Sequence, residues 1–318
     1  FKFMFDFWLY NRPGVAPLTF SNVHTLALVD VTPVPELLFA FELAPTPRFY
    51  EVTYQFTPRF SVRGGRIWIP FDTIGPQQPH NLFGGLVNVS QFRQPGGSAF
   101  LPDLWTDLGL AMKYRISDAA QFRWDLEAFV VNGFQSGGSD PAGLVGTRYP
   151  NFESAGVVDN NSDKSVGFRS QMLFFGAFNL GASGYFGRYS DPADPFRAVA
   201  MLGVDGQLRL PSGFEIKGGY MYSQVGLVPG AGPDNFRRGG VYVEAAQRFL
   251  QQFKFFLRGG TAQGDSRVVS VNDITMAGAG LVYNRAFLQL SLMYQRDLNT
   301  VAAKRSYEFM AARAMVVF

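Results

Sequence analysis

The sequence predicts an all-β fold: one transmembrane antiparallel β-barrel over residues 1–318, with about sixteen strands, short turns at one end and long loops at the other. Three observations predict it. Segment after segment alternates apolar and polar residues with period two, the spacing of a strand whose faces meet different surroundings. The chain carries 33 Phe, 13 Tyr and 35 Gly, a composition suited to repeated hairpins ringed by aromatic side chains. The connections also alternate between short and long. The uncharged stretch at residues 171–187 is broken by Gly and by Asn179, no segment reads as a membrane-spanning helix, and a membrane protein of this sequence must be a barrel.

The opening FKFMFDFWLY places Phe1, Phe3, Phe5, Phe7 and Leu9 on one face and Lys2 and Asp6 on the other. No signal peptide precedes it, as expected of a mature or trimmed form. A less regular run covers Phe20 to Val31, and Pro33 and Pro35 are expected in the turn before ELLFAFEL, because proline cannot donate to an interior ladder. Tyr50, Val52, Tyr54 and Phe56 alternate next, and FSVRGGRIWIPF follows, its Gly64-Gly65 pair predicting a bulge. After a long stretch from Asp72 to Thr106, Leu108, Leu110, Met112 and Tyr114 share one face.

The clearest alternation in the chain sets Phe122, Trp124, Leu126, Ala128 and Val130 against Arg123, Asp125 and Glu127. Charges on consecutive inward positions are costly in a dry core, so this strand calls for water or ion partners on its polar side. Trp124 is then expected on a mid-membrane outward face. Past a second polar stretch, Phe134 to Asp163, strands are predicted at KSVGFRSQMLFF and near 178–189, 197–210, 214–226, 236–249, 253–264, 272–284, 286–298 and 306–318. The last of these, SYEFMAARAMVVF, sets Met310, Ala312, Ala314, Val316 and Phe318 on one side and Tyr307 and Arg313 on the other.

The links sort into two classes. TPVP, TPR, SDAAQ, Gly176-Ala177, PSG, LQQ and NRA are short, whereas NRPGVAPLT, the Asp72 and Phe134 stretches, SDPADP, LVPGAGPDN, DSRVVSV and NTVAAKR are longer or more variable. Tight turns on the periplasmic side with long external loops produce this two-beat pattern, and a soluble sandwich has no reason to keep it.

With this register the barrel interior receives Arg63 or Arg66, Lys113, Arg115, Arg123, Arg169, Arg209, Lys217, Arg238, Arg248, Lys254, Arg258 and Arg313. It also receives Glu42, Glu51, Asp107, Asp125, Glu127, Asp205, Glu215, Glu244 and Asp297. Two readings stand: opposed charged walls that orient solutes, or cross-strand ion pairs that stiffen the wall. In the Asp72–Thr106 stretch the polar groups able to meet a solute are Asp72, His80, Asn81, Gln91, Arg93 and Asp103, with Phe83, Phe92, Phe100 and Leu101 as anchors, and the alternative is an external solvated loop.

Several classes are excluded or unsupported. With no Cys there is no disulfide, iron–sulfur cluster, thiolate zinc site or covalent haem attachment, and no cofactor is implied. The net charge of +3 comes without a basic cluster dense enough for nucleic acid. His24 in NVHTL and His80 in PHNLF lack the neighbours of a catalytic triad or acidic pair, so no enzyme is predicted. GGRIW and RGGTAQG lack the terminal Lys and hydroxyl pair of a phosphate loop.

RGGRIWIPFD, residues 63–72, resembles the strand-and-loop entry of the phosphate-selective porin family, where a Gly-Arg run is followed by a Pro-Phe step. The longest link joins the fifth and sixth strands, a layout similar to that of general porins, whose loop at that position folds into the lumen. The resemblance is specific over about residues 50–114 and elsewhere rests on strand rhythm. It implies a bacterial outer-membrane porin of that superfamily, passing small hydrophilic solutes or anions by diffusion, surrounded by outer-membrane lipid and forming a homotrimer. It also implies residues 72–106 as a constriction and Phe318 as a recognition end for barrel assembly. Where that family is expected to carry an arginine ladder and a lysine cluster on the loop, this loop offers Arg93 as its only strong base. A second expectation, a barrel that anchors or encloses a lipoprotein or other outer-membrane partner, rests on small residues Gly278, Gly280, Ala312 and Ala314 placed on outward faces.

Overall fold

The computed structural model describes residues 2–12, 16–43, 47, 49–71, 105–138, 149–150, 161–227, 234–263, 274–299 and 307–317. Its strands are β1 (Lys2–Arg12), β2 (Ala16–Val34), β3 (Leu37–Leu43), β4 (Tyr50–Thr57), β5 (Phe60–Trp68), β6 (Thr106–Ala119), β7 (Phe122–Val131), β8 (Ser136–Gly138) and β9 (Tyr149–Pro150). They continue as β10 (Ser165–Phe174), β11 (Phe178–Arg188), β12 (Ala198–Arg209), β13 (Phe214–Gly226), β14 (Asn235–Phe249), β15 (Phe253–Gln263), β16 (Ile274–Arg285), β17 (Leu288–Asn299) and β18 (Tyr307–Val317). All pairings are antiparallel, and the sheet closes: β18 pairs with β1, each strand from β18 back to β11 pairs with its predecessor, β10 pairs with β7, and the ladder returns through β6, β5, β4, β3 and β2 to β1. β8 and β9 form a separate hairpin inside the β7–β10 link. Closure leaves no open edge, so every strand finds its ladder partners without water.

Period two decides which way each residue points. On β6 the side chain of Leu110 is 54% exposed while its neighbour Ala111 is 1% exposed. Outward runs on β4, β6, β13 and β17 are similarly apolar, with Tyr50, Val52, Leu110, Tyr220, Leu290 and Leu292 all turned out. An apolar girth of this kind faces lipid in a transmembrane barrel. Aromatic rings gather where the short turns lie: Phe56 with Phe60, Phe122 with Phe174, Phe174 with Phe178, and Phe249 with Phe253. This is the aromatic belt of a membrane–water interface, where a ring's apolar body and the polar boundary both find partners. Phe175 and Leu250 sit in these turns at φ 53° and 48°, left-handed conformations that tight hairpins require.

The described strand ends leave intervals of unequal length at the two ends of the barrel. One end of the barrel carries the connections at 35–36, 58–59, 120–121, 175–177, 210–213, 250–252 and 286–287, and the opposite end carries 44–49, 69–105, 132–164, 189–197, 227–234, 264–273 and 300–306. NRPGVAPLT, expected as a long link, is mostly strand, because β1 reaches Arg12 and β2 begins at Ala16.

Three local expectations are corrected. Pro33 lies within β2 and not in the turn; the β2–β3 register slips between Val31 and Val34, so the ladder already breaks where proline lacks a donor. Gly64 and Gly65 form no bulge, since their pairing with β4 and β6 runs unbroken from Ser61 to Arg66; Gly65 instead has φ 124° and an added Cβ would lie 2.4 Å from the Tyr50 carbonyl. Gly278 and Gly280 face inward, not outward. Gly278 pairs with Arg258 and Gln295, both buried, and a Cβ on Gly280 would collide with the buried Phe256 ring at 2.2 Å. That removes half of the small-residue surface expected for a partner, while Ala312 and Ala314 keep register with the outward Leu292 and Leu290.

Candidate functional site

Two layers line the inside of the barrel. Toward the long-loop end lies an apolar cluster, and toward the short-turn end lies a band of ion-paired charges.

The apolar cluster begins where β5 leaves the wall. Ile69, Phe71 and Trp105 are fully buried, and the Ile69 amide donates to the Trp105 carbonyl at 3.0 Å, tying both ends of the 69–105 link together. The Phe71 amide donates back to the Ile69 carbonyl at 2.9 Å across Pro70. That is a three-residue turn for which proline's fixed φ is suited, and it bends the chain off the β5 direction. The Phe71 ring then packs on Gly203 of β12, where a Cβ would stand 3.0 Å from its Cε1. In the barrel order β12 is five strands from β5, so this contact is reached through the interior. Trp105 completes the root of the link, with its ring centroid 5.5 Å from Phe71, 5.3 Å from Phe134 and 5.0 Å from Tyr185. Met201, Met221, Val225 and Phe236 fill the wall around it. Asp107, also fully buried, accepts the Gly133 amide at 2.8 Å and the Leu108 amide at 2.7 Å, so this acid holds the start of the next loop and is no solute contact.

The charged band falls into three groups. On β4–β7, Arg63 bridges two acids, donating to Glu51 at 3.1 Å and to Glu127 at 2.9 Å, while also reaching the Trp68 carbonyl at 2.8 Å. Below it Asp125 collects three bases: Arg115 at 3.0 Å, Arg123 at 2.6 Å and Lys113 at 3.8 Å. Arg115 also meets Asp118 at 3.3 Å.

On β10–β12, Arg169 and Asp205 form a two-pronged pair at 2.8 and 2.9 Å, and Arg169 further donates to Ser183 at 2.7 Å. The pair passes over Gly181, whose absent side chain makes the crossing possible: a Cβ there would lie 2.5 Å from the guanidinium. On β13–β15, Lys217 lies 3.1 Å from Glu244, and Arg258 lies 3.9 Å from the same acid with its guanidinium over the Phe256 ring. Nearer the turns Lys254 and Arg209 share Glu215 at 2.8 and 3.4 Å.

The structure thus brings Arg63, Lys113, Arg115, Arg123, Asp125, Glu127, Arg169 and Arg258 to the inner face. Arg66 does not join them. By register it shares the face of Tyr50 and Leu108, both turned outward, and its guanidinium donates to the Thr106 hydroxyl at 3.0 Å and the Pro47 carbonyl at 3.2 Å near the long-loop end. The unbroken ladder at Gly64-Gly65 is the reason: without a bulge, residues 63 and 66 must point opposite ways. Arg313 pairs in register with Ser291, a buried inward position. Asp72, His80, Asn81, Gln91, Arg93 and Asp103 lie outside the described residues, as does Phe318. Sequence reasoning missed the inner apolar layer of Met201, Met221, Val225 and Phe236. The available signal was the density of aromatic residues flanking the long loops, IPF at 69–71, Trp105 and Phe134.

No family model and no curated protein sequence matches this chain. Solved structures do. An anion-selective porin from Comamonas acidovorans aligns with a TM-score of 0.70 at 10% identity, covering 100% of this chain and 98% of that one. An in-vitro folded outer membrane protein of Vibrio cholerae, OmpT in trimer form, aligns with a TM-score of 0.61 at 11% identity over 100% and 98%. OmpF of Salmonella typhi, solved with daunomycin, gives 0.60 at 10% over 100% and 96%. The fold is that of the bacterial outer-membrane porin barrels.

Proposed function

We propose that this protein is an outer-membrane porin: a sixteen-stranded barrel, assembled as a homotrimer, through which small hydrophilic solutes and ions diffuse passively, with a weak preference for anions. The observation that carries the proposal is the root of the 69–105 link. Ile69, Phe71 and Trp105 are fully buried there, and the Phe71 ring reaches through the interior onto Gly203 of β12, as the root of a channel-narrowing loop must. Residues 72–106 form the constriction in this reading, and the closed order of described strands supports the count. The short turns then face the periplasm, with the aromatic rings beside them at that interface.

Selectivity follows from the charged band, since a low-dielectric wall focuses the field of its charges on the water between them. The four bases and four acids of the β4–β7 group balance, whereas on β12–β15 Glu215 and Glu244 are outnumbered by Arg209, Lys217, Lys254 and Arg258, which tilts the field toward anions. The buried Arg169–Asp205 pair is self-compensated and stiffens the wall. No chemical step is required, and the protein is not an enzyme in this reading. The RGGRIWIPFD resemblance supports a place in the broad porin superfamily, with Arg63 as the one arginine of that run serving the lumen. Purified protein in a planar bilayer is expected to give stepwise currents with reversal potentials favouring anions. A silent, folded barrel would overturn the reading.

A further inference from the structure

At the short-turn mouth a cavity of about 370 Å³ opens beside the β12–β13 turn, lined by Arg209, Leu210, Gly213, Phe214, Glu215, Lys217, Arg248 and Lys254. Four of those side chains are cations and one is an acid. The volume is at the lower end of the range for small-molecule sites, so it is large for a single halide ion.

The cations are not all spent on the acid. Glu215 is held by Lys254 at 2.8 Å and also accepts from the Gln207 amide, while Lys217 is directed to Glu244 at 3.1 Å. Arg209 touches Glu215 through Nε alone at 3.4 Å and its side chain is 62% exposed. Arg248 has no acidic partner among the described residues, and its backbone amide donates to the Gly213 carbonyl at 3.0 Å, fixing its Cα beside the turn. Two guanidinium groups therefore border one cavity with donors to spare, over a floor whose own carboxylate is neutralised. Planar guanidinium forks recognise paired oxygens, and two forks around one space fit a solute with two anionic ends.

We propose that this cavity is a binding site for small dianions, such as a short dicarboxylate or sulfate, with Arg209 and Arg248 as the contacting residues. It lies on the β12–β15 wall at the turn end, apart from the apolar loop root at the opposite end, so a dianion would be held at the mouth after or before passing the constriction. The site's part in selective passage rests on the porin reading; its capacity to bind does not.

The test uses the folded full chain in detergent with carbon-13 malonate, following the malonate linewidth, and the same chain in planar bilayers. Malonate is expected to broaden with wild type, and R209Q/R248Q is expected to weaken the binding about tenfold, the loss of two charge-assisted contacts at a solvated mouth. R248Q alone, at an exposed position, serves if the double variant fails to fold, and should weaken it about threefold. Competition by sulfate would show that charge and compactness suffice; malonate broadening without sulfate competition would assign the site to dicarboxylates. Equal broadening in wild type and R248Q, or none with wild type, overturns the proposal. Absence of bilayer currents alongside arginine-dependent malonate binding would overturn the porin reading and leave the site standing.

Discussion

Replacing Asp205 by Asn removes a charge while keeping the shape of the side chain, and leaves the Arg169 guanidinium without its counter-ion in a place water barely reaches. Arg169 and Asp205 side chains are 4% and 1% exposed, and two contacts of 2.8 and 2.9 Å join them. At a charge separation of about 4 Å and an effective dielectric of about 20, the attraction lost is about 4 kcal/mol. Measured losses on breaking buried pairs run about 3–5 kcal/mol. We expect D205N to destabilise the barrel by about 3–4 kcal/mol on that basis. R169M/D205L, which removes both charges and fills similar volume, should return to within about 1 kcal/mol of wild type. R209Q, taken from the solvated Arg209–Glu215 pair, should cost under about 1 kcal/mol. Urea titration of barrels folded into lipid vesicles, followed by tryptophan emission, measures all three. Equal costs for D205N and R209Q would refute the reasoning, because they would mean that water screens the Arg169–Asp205 pair as it screens a surface pair.

Further expectations concern the faces and the loop root. Leu126→Arg, at the outward middle of β7, should cost about 2–4 kcal/mol by the same titration, whereas Trp124→Arg should cost about 1 kcal/mol. Trp124 was expected at mid-membrane, but it lies two residues from Phe122, whose ring packs on Phe174 in the aromatic belt, so an arginine there can reach the interface. Arg123→Ser should lower the anion-to-cation permeability ratio in reversal-potential measurements by about twofold, since the Arg123 side chain is 39% exposed on the inner face and lines the channel in the proposed reading. Arg66→Ser should leave that ratio unchanged; a shift as large as that of Arg123→Ser would return Arg66 to the pore. Gly203→Leu would place atoms where the Phe71 ring lies and should change single-channel conductance while stepwise currents persist, and an unchanged conductance would separate the loop root from the pathway.

How much of this was legible depends on whether the two faces of a strand differ chemically. On β7 the contrast of Arg123, Asp125 and Glu127 with Leu126 and Val130 fixes the orientation from sequence alone, and the burial follows it. On β16 the segment ITMAGAGLVYN is apolar or small on both faces, so period two carries no sign, and Gly278 and Gly280 were set outward. Only the pairing with Arg258 and the approach of Phe256 reverse them. The same ambiguity hides the inner apolar layer. The rule that a lumen is polar predicts charges at Val199, Met201, Met221 and Val225, but those positions lie where Phe71 and Trp105 come in from the 69–105 link, and a wall that receives an apolar root is itself apolar.

The distribution of charge follows from that arrangement. The loop root packs against the long-loop half of the β12 wall, where the inward positions are apolar and buried, and the exposed inward charges of β12–β14 lie toward the turns. Asp205, just below the Gly203 contact, accordingly carries a buried two-pronged partner, while Arg209, further down the same strand, is mostly exposed. One strand thus passes from apolar support for the loop, through a compensated ion pair, to an open cation, within the inward positions Met201 to Arg209. That gradient leaves the exposed cations Arg209 and Arg248 at the turn end of this wall, clear of the Phe71–Gly203 contact at the loop root, so the proposed dianion site and the proposed constriction can be varied independently.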